Sequence, residues 1–221
     1  MKKNVLAIVA LAALSLTACK KGEKIESTST TEAAAQTAEA VVYGVTTAAS
    51  QVNWEANKLV GGGHTGTISI KEGEVFVTDG VLTGGKFIID MNTINVTDVT
   101  DPEMKGNLEA HLKGATEENA DHFFNVSQFP VSTFEITNVV DNNGDKTVEG
   151  NLTIKGTSHS IKFPATINVT DTEVAITSEE FEIDRTLWNV NYNSGSVIED
   201  LAGDKVINDN VKIKVAIQVA K

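Results

Sequence analysis

Ile161-Lys162-Phe163-Pro164-Ala165-Thr166-Ile167-Asn168-Val169 is the stretch on which the fold turns. Its odd positions are apolar, and its even positions are polar or proline. Side chains of a strand alternate between two faces, so this period of two describes a strand with one dry and one wet face. Pro164 has no N–H to give to a ladder, which places it on an edge or at a bulge. The same alternation returns at the end of the chain. There Val211, Ile213, Val215 and Ile217 interleave with Lys212, Lys214, Ala216 and Gln218.

Working outward, shorter runs repeat the pattern: Val52-Trp54-Ala56, Ile68-Ile70, Phe87-Ile89-Met91, Phe134-Ile136, Leu152-Ile154 and Val174-Ile176. Turn residues separate them at Lys71-Glu72-Gly73, Asp79-Gly80, Asp141 to Asp145, Gly156-Thr157-Ser158 and Asp171-Thr172. One helix interrupts the strands. Asp101 is its N-cap, Pro102 suits its first position, Met104, Leu108 and Leu112 recur every four residues, and Gly114 ends it. Asn119 to Phe124 is expected to add a short helical turn. About eight antiparallel strands with one apolar face must close into a barrel or pair as a sandwich. A barrel of that size encloses either packed side chains or one small ligand.

The N-terminus is a different kind of sequence. Lys2 and Lys3 precede an apolar run, Val5 to Leu14, of signal-peptide length and too short to span a bilayer. It ends at Leu16-Thr17-Ala18-Cys19, which resembles the bacterial lipobox, and Cys19 is the only cysteine in the chain. That resemblance implies a signal peptide over 1–18, lipid attachment at Cys19, and a membrane anchor of two or more acyl chains. Residues 19–40 are rich in Ser, Thr, Ala and Glu, and read as a lipidated flexible tether. The domain proper is expected over 41–221, in the bacterial cell envelope, facing the periplasm or the cell surface. With one cysteine it has no disulfide to form.

The chain carries a formal charge of −12; without Lys2 and Lys3 it has 16 basic residues against 30 acidic ones, or −14. This argues against nucleic acid as a partner. Gly61 to Gly66 fits GxGxxG, but a strand pattern follows where a dinucleotide site needs a helix. Asp141, Asn143 and Asp145 open like a calcium loop, yet Lys146 and Leu152 stand where Gly and Glu are required. His64, His111, His122 and His159 lack metal-ligand spacing, and no nucleophile elbow is present. No metal, cofactor or catalytic residue is expected.

Two polar residues remain conspicuous. Arg185 shares the parity of Phe181 and Ile183, and His64 that of Ile68 and Ile70, so both are expected on the apolar face. A guanidinium there requires a carboxylate or a ligand oxygen, unless it reaches out at the rim.

Several ordered motifs then resemble one family: His64-Thr65-Gly66, Gly85 to Met91, Leu108 to Leu112, Phe123-Phe124-Asn125-Val126 with Phe129-Pro130, Gly150 to Gly156, and Ile183-Asp184-Arg185 with Trp188. Over about Tyr43 to Lys221 the chain resembles the YceI-like family, lipocalin-like polyisoprenoid-binding proteins of bacterial envelopes. The resemblance implies an all-β fold, an eight-stranded antiparallel barrel with one or two short helices across an end. It also implies an apolar pore that holds a polyisoprenoid or similar amphiphilic lipid. The pore wall would then include Trp54, Phe87, Ile89, Phe134, Ile136, Phe163, Phe181 and Ile183, with Arg185 and His64 meeting the lipid's head. Gly114 to His122 is longer and more acidic than the family's usual link. The expected function is to bind, sequester or carry the lipid, not to transform it. A solid barrel serving as an interaction module, or an enzymatic accessory of lipid or quinone metabolism, is the alternative. A homodimer is left open.

Overall fold

The computed structural model describes residues 23–34, 36–142 and 144–221; the signal stretch 1–18 and Cys19 lie outside them. The strands are β1 (Glu23–Lys24), β2 (Val41–Val45), β3 (Gln51–Asn57), β4 (Gly63–Thr78), β5 (Val81–Asp90) and β6 (Asn95–Val96), then β7 (Val131–Asn142), β8 (Asp145–Ile154), β9 (Thr157–Val169), β10 (Glu173–Ser178), β11 (Phe181–Asp184) and β12 (Asn210–Ala220). The helix α1 spans Pro102–Lys113, and short 3-10 turns lie at Thr47–Ala49, Met91–Thr93, Glu117–Asn119 and Arg185–Trp188.

These strands form the expected eight-walled antiparallel barrel. The ring runs β3, β4, β5, β7, β8, β9, β10, β12 and back to β3. Two walls are broken strands. β2 and β3 share the place between β4 and β12, and β10 and β11 share the place beside β12. In β9 the alternation appears directly: Ile161, Phe163, Ala165 and Ile167 are buried while Lys162, Thr166 and Asn168 are exposed. α1 is capped as its sequence implies: Asp101 Oδ1 accepts from Met104 N at 2.9 Å, and Gly114 ends it at φ 70°. Lys71-Glu72-Gly73 is not the turn its residues suggest. β4 runs straight through it, and the pairing with β5 shifts register between Ile70 and Glu72, so these residues bend one long strand as a bulge.

The two ends of the barrel differ. At one end the strands join through tight hairpins, and Val75, Val174 and Val219 are fully buried there in a solid floor. At the other end lie α1, β6, the 3-10 turns after β5 and β11, and the long segment 185–209.

One seam in the wall is open to other partners. β9 pairs with β10 only from Ala165 onward, and the Pro164 carbonyl accepts from Glu179 N at 3.1 Å. Before Pro164, β9 and β11 part. Part of the stretch expected to be a tether, 19–40, pairs with this seam. β1 pairs in parallel with β11, Glu23 to Phe181 and Lys24 to Glu182. Thr28 exchanges two backbone hydrogen bonds of 2.9 Å with Ser160 on β9. Ile25, between them, is buried in the core cluster. Farther on, Asn151 clamps the backbone of Thr31, accepting from its N–H at 3.0 Å and donating to its carbonyl at 2.7 Å. The segment has too few apolar residues to fold alone, but a sheet edge offers unpaired N–H and C=O groups that any backbone satisfies.

Ile25→Ala should therefore lower the unfolding free energy by about 2 kcal/mol, the low end for a buried isoleucine. Urea denaturation measures this. An unchanged midpoint would mean that the segment does not close the seam.

Candidate functional site

Above the solid floor the barrel is hollow. A cavity of about 180 Å³ lies among the inner faces of the strands, with Leu112, Phe123 and Phe124 roofing it at the helical end. Trp54, Phe87, Ile89, Phe134, Ile136, Phe163, Phe181 and Ile183 all line it, as does Arg185. Phe163 and Phe181 stack at 4.6 Å, and Phe134 tilts against Phe163 at 5.7 Å. Opposite walls nonetheless fail to meet. Ile68, Phe134, Leu152, Val211, Ile213 and Val215 point inward but are only partly buried, because the space they face is empty.

Two glycines let the rings lie flat against the wall. Gly66 sits opposite Trp54, where a Cβ would collide with the indole. Gly150 is placed so that a Cβ would collide with Phe134 and would lie 2.6 Å from the Glu135 carbonyl. Both are close-approach glycines.

Ile183-Asp184-Arg185 does not continue as strand. Asp184 caps a 3-10 turn, its Oδ1 accepting from Thr186 N at 3.1 Å and from the Thr186 hydroxyl at 2.6 Å. Arg185 opens that turn and is 6% exposed. Its guanidinium donates to the carbonyls of Asn208 at 3.2 Å, Ile207 at 3.1 Å and Val190 at 2.5 Å, and to Asp209 Oδ1 at 3.5 Å. Burial lowers the guanidinium's pKa from its ordinary value, while Asp209 and Asp184 oppose that shift. The residue stays charged, as arginine does in proteins. Segment 185–209 has few ladder partners, so its buried carbonyls need a donor from elsewhere, and one guanidinium serves three of them. Trp188, fully buried, adds an indole N–H to the Leu152 carbonyl at 3.0 Å.

His64 requires a correction. It does not share the inner face with Ile68 and Ile70: its side chain is 45% exposed, and Nδ1 lies 3.0 Å from Asp98 Oδ2. The first residues of β4 run past the cavity's rim. Asp98, following β6, also accepts from Thr65 N at 3.0 Å, so one carboxylate turns this strand end outward. Asp98's own pKa is lowered: burial raises it, and the hydrogen bonds from Thr65 and His64 outweigh that.

The alternation pattern did not single out the roof. His111 of α1 and His122 meet at 2.8 Å, Nε2 to Nδ1, and Tyr192 stacks on His122 at 4.3 Å. Phe123 lies edge-on to His111 at 5.3 Å. Three chain segments thus meet through these rings, and Phe124 N and Val126 N also donate to the carbonyls of Leu112 at 3.2 Å and Lys113 at 2.8 Å. Among the described residues no group of three or more His, Cys, Asp or Glu stands close enough to hold a metal ion.

The His111 imidazole is held below its ordinary pKa by burial and then by His122. A base with a lowered folded pKa stabilises the protein above its unfolded value of about 6.5, and that stability is lost as pH falls below it. Wild-type melting temperature should therefore drop between pH 7.5 and pH 5.5 by more than that of His111→Gln. Equal drops in thermal melts at the two pH values would remove the histidine pair as the cause.

Residues 43–219 match the family model of the YceI-like domain. BcnA of Burkholderia cenocepacia has a similar structure at a TM-score of 0.57 and 18% identity, covering 79% of this chain and 98% of its own. A polyisoprenoid binding domain from Saccharophagus degradans, implicated in plant cell wall breakdown, is similar at a TM-score of 0.54 and 14% identity, covering 80% of this chain and 97% of its own. No curated protein matches the chain. At such identities the two structures share its fold, and the family model, spanning most of the chain, gives its descent: the protein belongs to the YceI-like family.

Proposed function

We propose that this protein is a cell-envelope lipoprotein that binds, sequesters or carries a long-chain, isoprenoid-like amphiphile inside its barrel. One observation supports this above the others. The inner wall turns aliphatic and aromatic side chains toward a space that the protein itself leaves empty. A solid barrel would have buried Val211, Ile213 and Val215 as completely as Val174 and Val219 in the floor. Each methylene moved from water into such a cavity contributes about 0.8 kcal/mol, so a long tail supplies most of the affinity. The Saccharophagus domain, described as polyisoprenoid binding, points the same way.

Trp54, Phe87, Ile89, Phe134, Ile136, Phe163, Phe181 and Ile183 would contact the tail. Arg185 would act as a positioning residue that holds segment 185–209 over the cavity. Nothing among the described residues pairs an acid with a base or activates a nucleophile at the cavity, which suits a carrier.

The proposed anchor would also bring the barrel close to the bilayer. Cys19 precedes Glu23 by four residues, and Glu23 is already paired to the barrel wall at Phe181. Four residues of chain reach no farther than about 14 Å, at about 3.5 Å per residue, so an anchor at Cys19 would be tied close to the seam. A lipid then has a short way to travel between membrane and cavity.

Lipid extraction and native mass spectrometry of protein purified from membranes test the ligand. A bound species with a long hydrocarbon chain is expected. Protein that never carries one, and takes up none when offered, would favour the solid-barrel alternative. Cys19→Ser tests the anchor: the variant should leave the membrane fraction and appear soluble, and a variant still wholly membrane-bound would refute lipidation at this cysteine.

A further inference from the structure

The cavity lies behind two covers, the roof at the helical end and the N-terminal residues that fill the seam between β9 and β11. The roof is stapled. Arg185 donates to three carbonyls of segment 185–209, the Trp188 indole to the Leu152 carbonyl at 3.0 Å, and Lys155 Nζ to the Asn189 carbonyl at 3.1 Å. His111 and His122 add their contact at 2.8 Å. Lifting this cover breaks several buried hydrogen bonds together, and each group left unpaired has a cost.

The seam is held more lightly. Residues 23–28 meet the barrel through the two-residue parallel pairing of β1 with β11, the Ile25 N–H on the Glu182 carbonyl at 3.1 Å, and the Thr28–Ser160 pair. Ile25 is the one apolar side chain buried in this stretch. Ser27, two residues on and of the same parity, buries its hydroxyl without a hydrogen-bond partner among the described residues, which works against the fit. Lys24 reaches Asp184 at 3.9 Å with its own side chain 57% exposed, and ion pairs of that kind contribute little. A segment with so little buried apolar surface opens at a free energy well below that of global unfolding. The strands on either side of it carry Phe163 and Phe181, stacked at 4.6 Å, and both rings line the cavity.

We propose that residues 23–28 are a strap that gates the cavity from the side. The strap swings out of the seam about the Asn151 clamp on Thr31, and a hydrocarbon chain passes between β9 and β11 by way of Phe163 and Phe181. This rests on the amphiphile-carrier reading and adds the route by which the ligand moves. Opening does not require the ring to unfold. From Ala165 onward β9 stays paired with β10, and the Pro164 carbonyl keeps the Glu179 N–H at 3.1 Å. The edges that the strap uncovers face water, which answers their N–H and C=O groups.

A reversible lock tests the gate. Thr28 and Ser160 form a hydrogen-bonded antiparallel pair, and the Cα atoms of such a pair stand about 5.5 Å apart, within reach of a disulfide. By alternation from Ser27 and from Ile161 both side chains point away from the cavity, so a cross-link there leaves the cavity itself untouched. Thr28→Cys and Ser160→Cys are made in the full chain with Cys19→Ser, which leaves no third thiol. Farnesol and cis-parinaric acid are mixed with oxidised and with reduced protein in stopped flow, and binding is read from the fluorescence of Trp54 and Trp188, which line the cavity. Oxidation should slow uptake and release of both probes about tenfold or more with Kd little changed, and reductant should restore the rates. Without any cross-link, Ser27→Ala should slow exchange about fivefold, because the strap loses an unpaired hydroxyl, and Ile25→Ala should speed it. Equal rates in the oxidised and reduced protein, with the disulfide verified by mass, would mean that the chain enters past the roof, and would overturn the gate while the carrier reading stands. If the cross-linked protein fails to fold, the two single variants decide: opposite shifts in rate support the strap, and unshifted rates overturn it. Binding of neither probe to the reduced protein would remove the carrier reading and the gate with it.

Discussion

β12 hydrogen-bonds along both edges. One edge takes β11 at Phe181 to Asp184 and β10 at Glu173 to Thr177, and the other takes β3 at Gln51 to Glu55 and β2 at Gly44 and Val45. The last strand thereby joins the first part of the domain to its last, and the sheet becomes a closed wall. Closure removes the exposed edges that an open sheet would have to protect. It also sets the diameter, and a ring of eight strands is wide enough that side chains of ordinary size need not fill it. The hollow follows from that width: the floor is solid where the hairpins draw the walls together, and the upper part is empty.

The wall is closed imperfectly at one place, and the chain uses its own N-terminal segment there. Pro164 lies where β9 leaves β10, a position that a proline tolerates because its nitrogen has nothing to donate. Glu23 to Thr28 then supply the backbone groups that β9 and β11 lack. The described part of the N-terminal segment is thus part of the wall.

The charge buried beside the cavity is held by the protein's own backbone. A guanidinium beside an apolar cavity looks like a ligand contact until its acceptors are found, and those acceptors are carbonyls of the segment that covers the cavity. Such carbonyls would otherwise be buried without donors, at a cost of roughly 1–3 kcal/mol each. The rings of His111, His122 and Tyr192 complete the same cover from the helix side.

Local pattern was enough for much of this. The alternation in Ile161–Val169 and Val211–Gln218, the turn residues at Asp79-Gly80 and Asp171-Thr172, and the Asp101, Pro102 and Gly114 signals around α1 depend on neighbours in sequence, and these elements form where they place them. Lys71-Glu72-Gly73 carries the same kind of turn residues, yet pairing with β5 holds it in the sheet. The eight apolar positions named for the pore also face the cavity, since parity within a strand is local. Parity failed where a strand ended. His64 turns outward because Asp98, 34 residues away, binds its ring, and Arg185 leaves the strand to meet acceptors 22 to 24 residues further on. Glu23 to Thr28 found partners on β11 and β9, more than 130 residues distant. Periodicity reports which side of its own strand a residue occupies. Which groups stand opposite is decided only when distant segments meet.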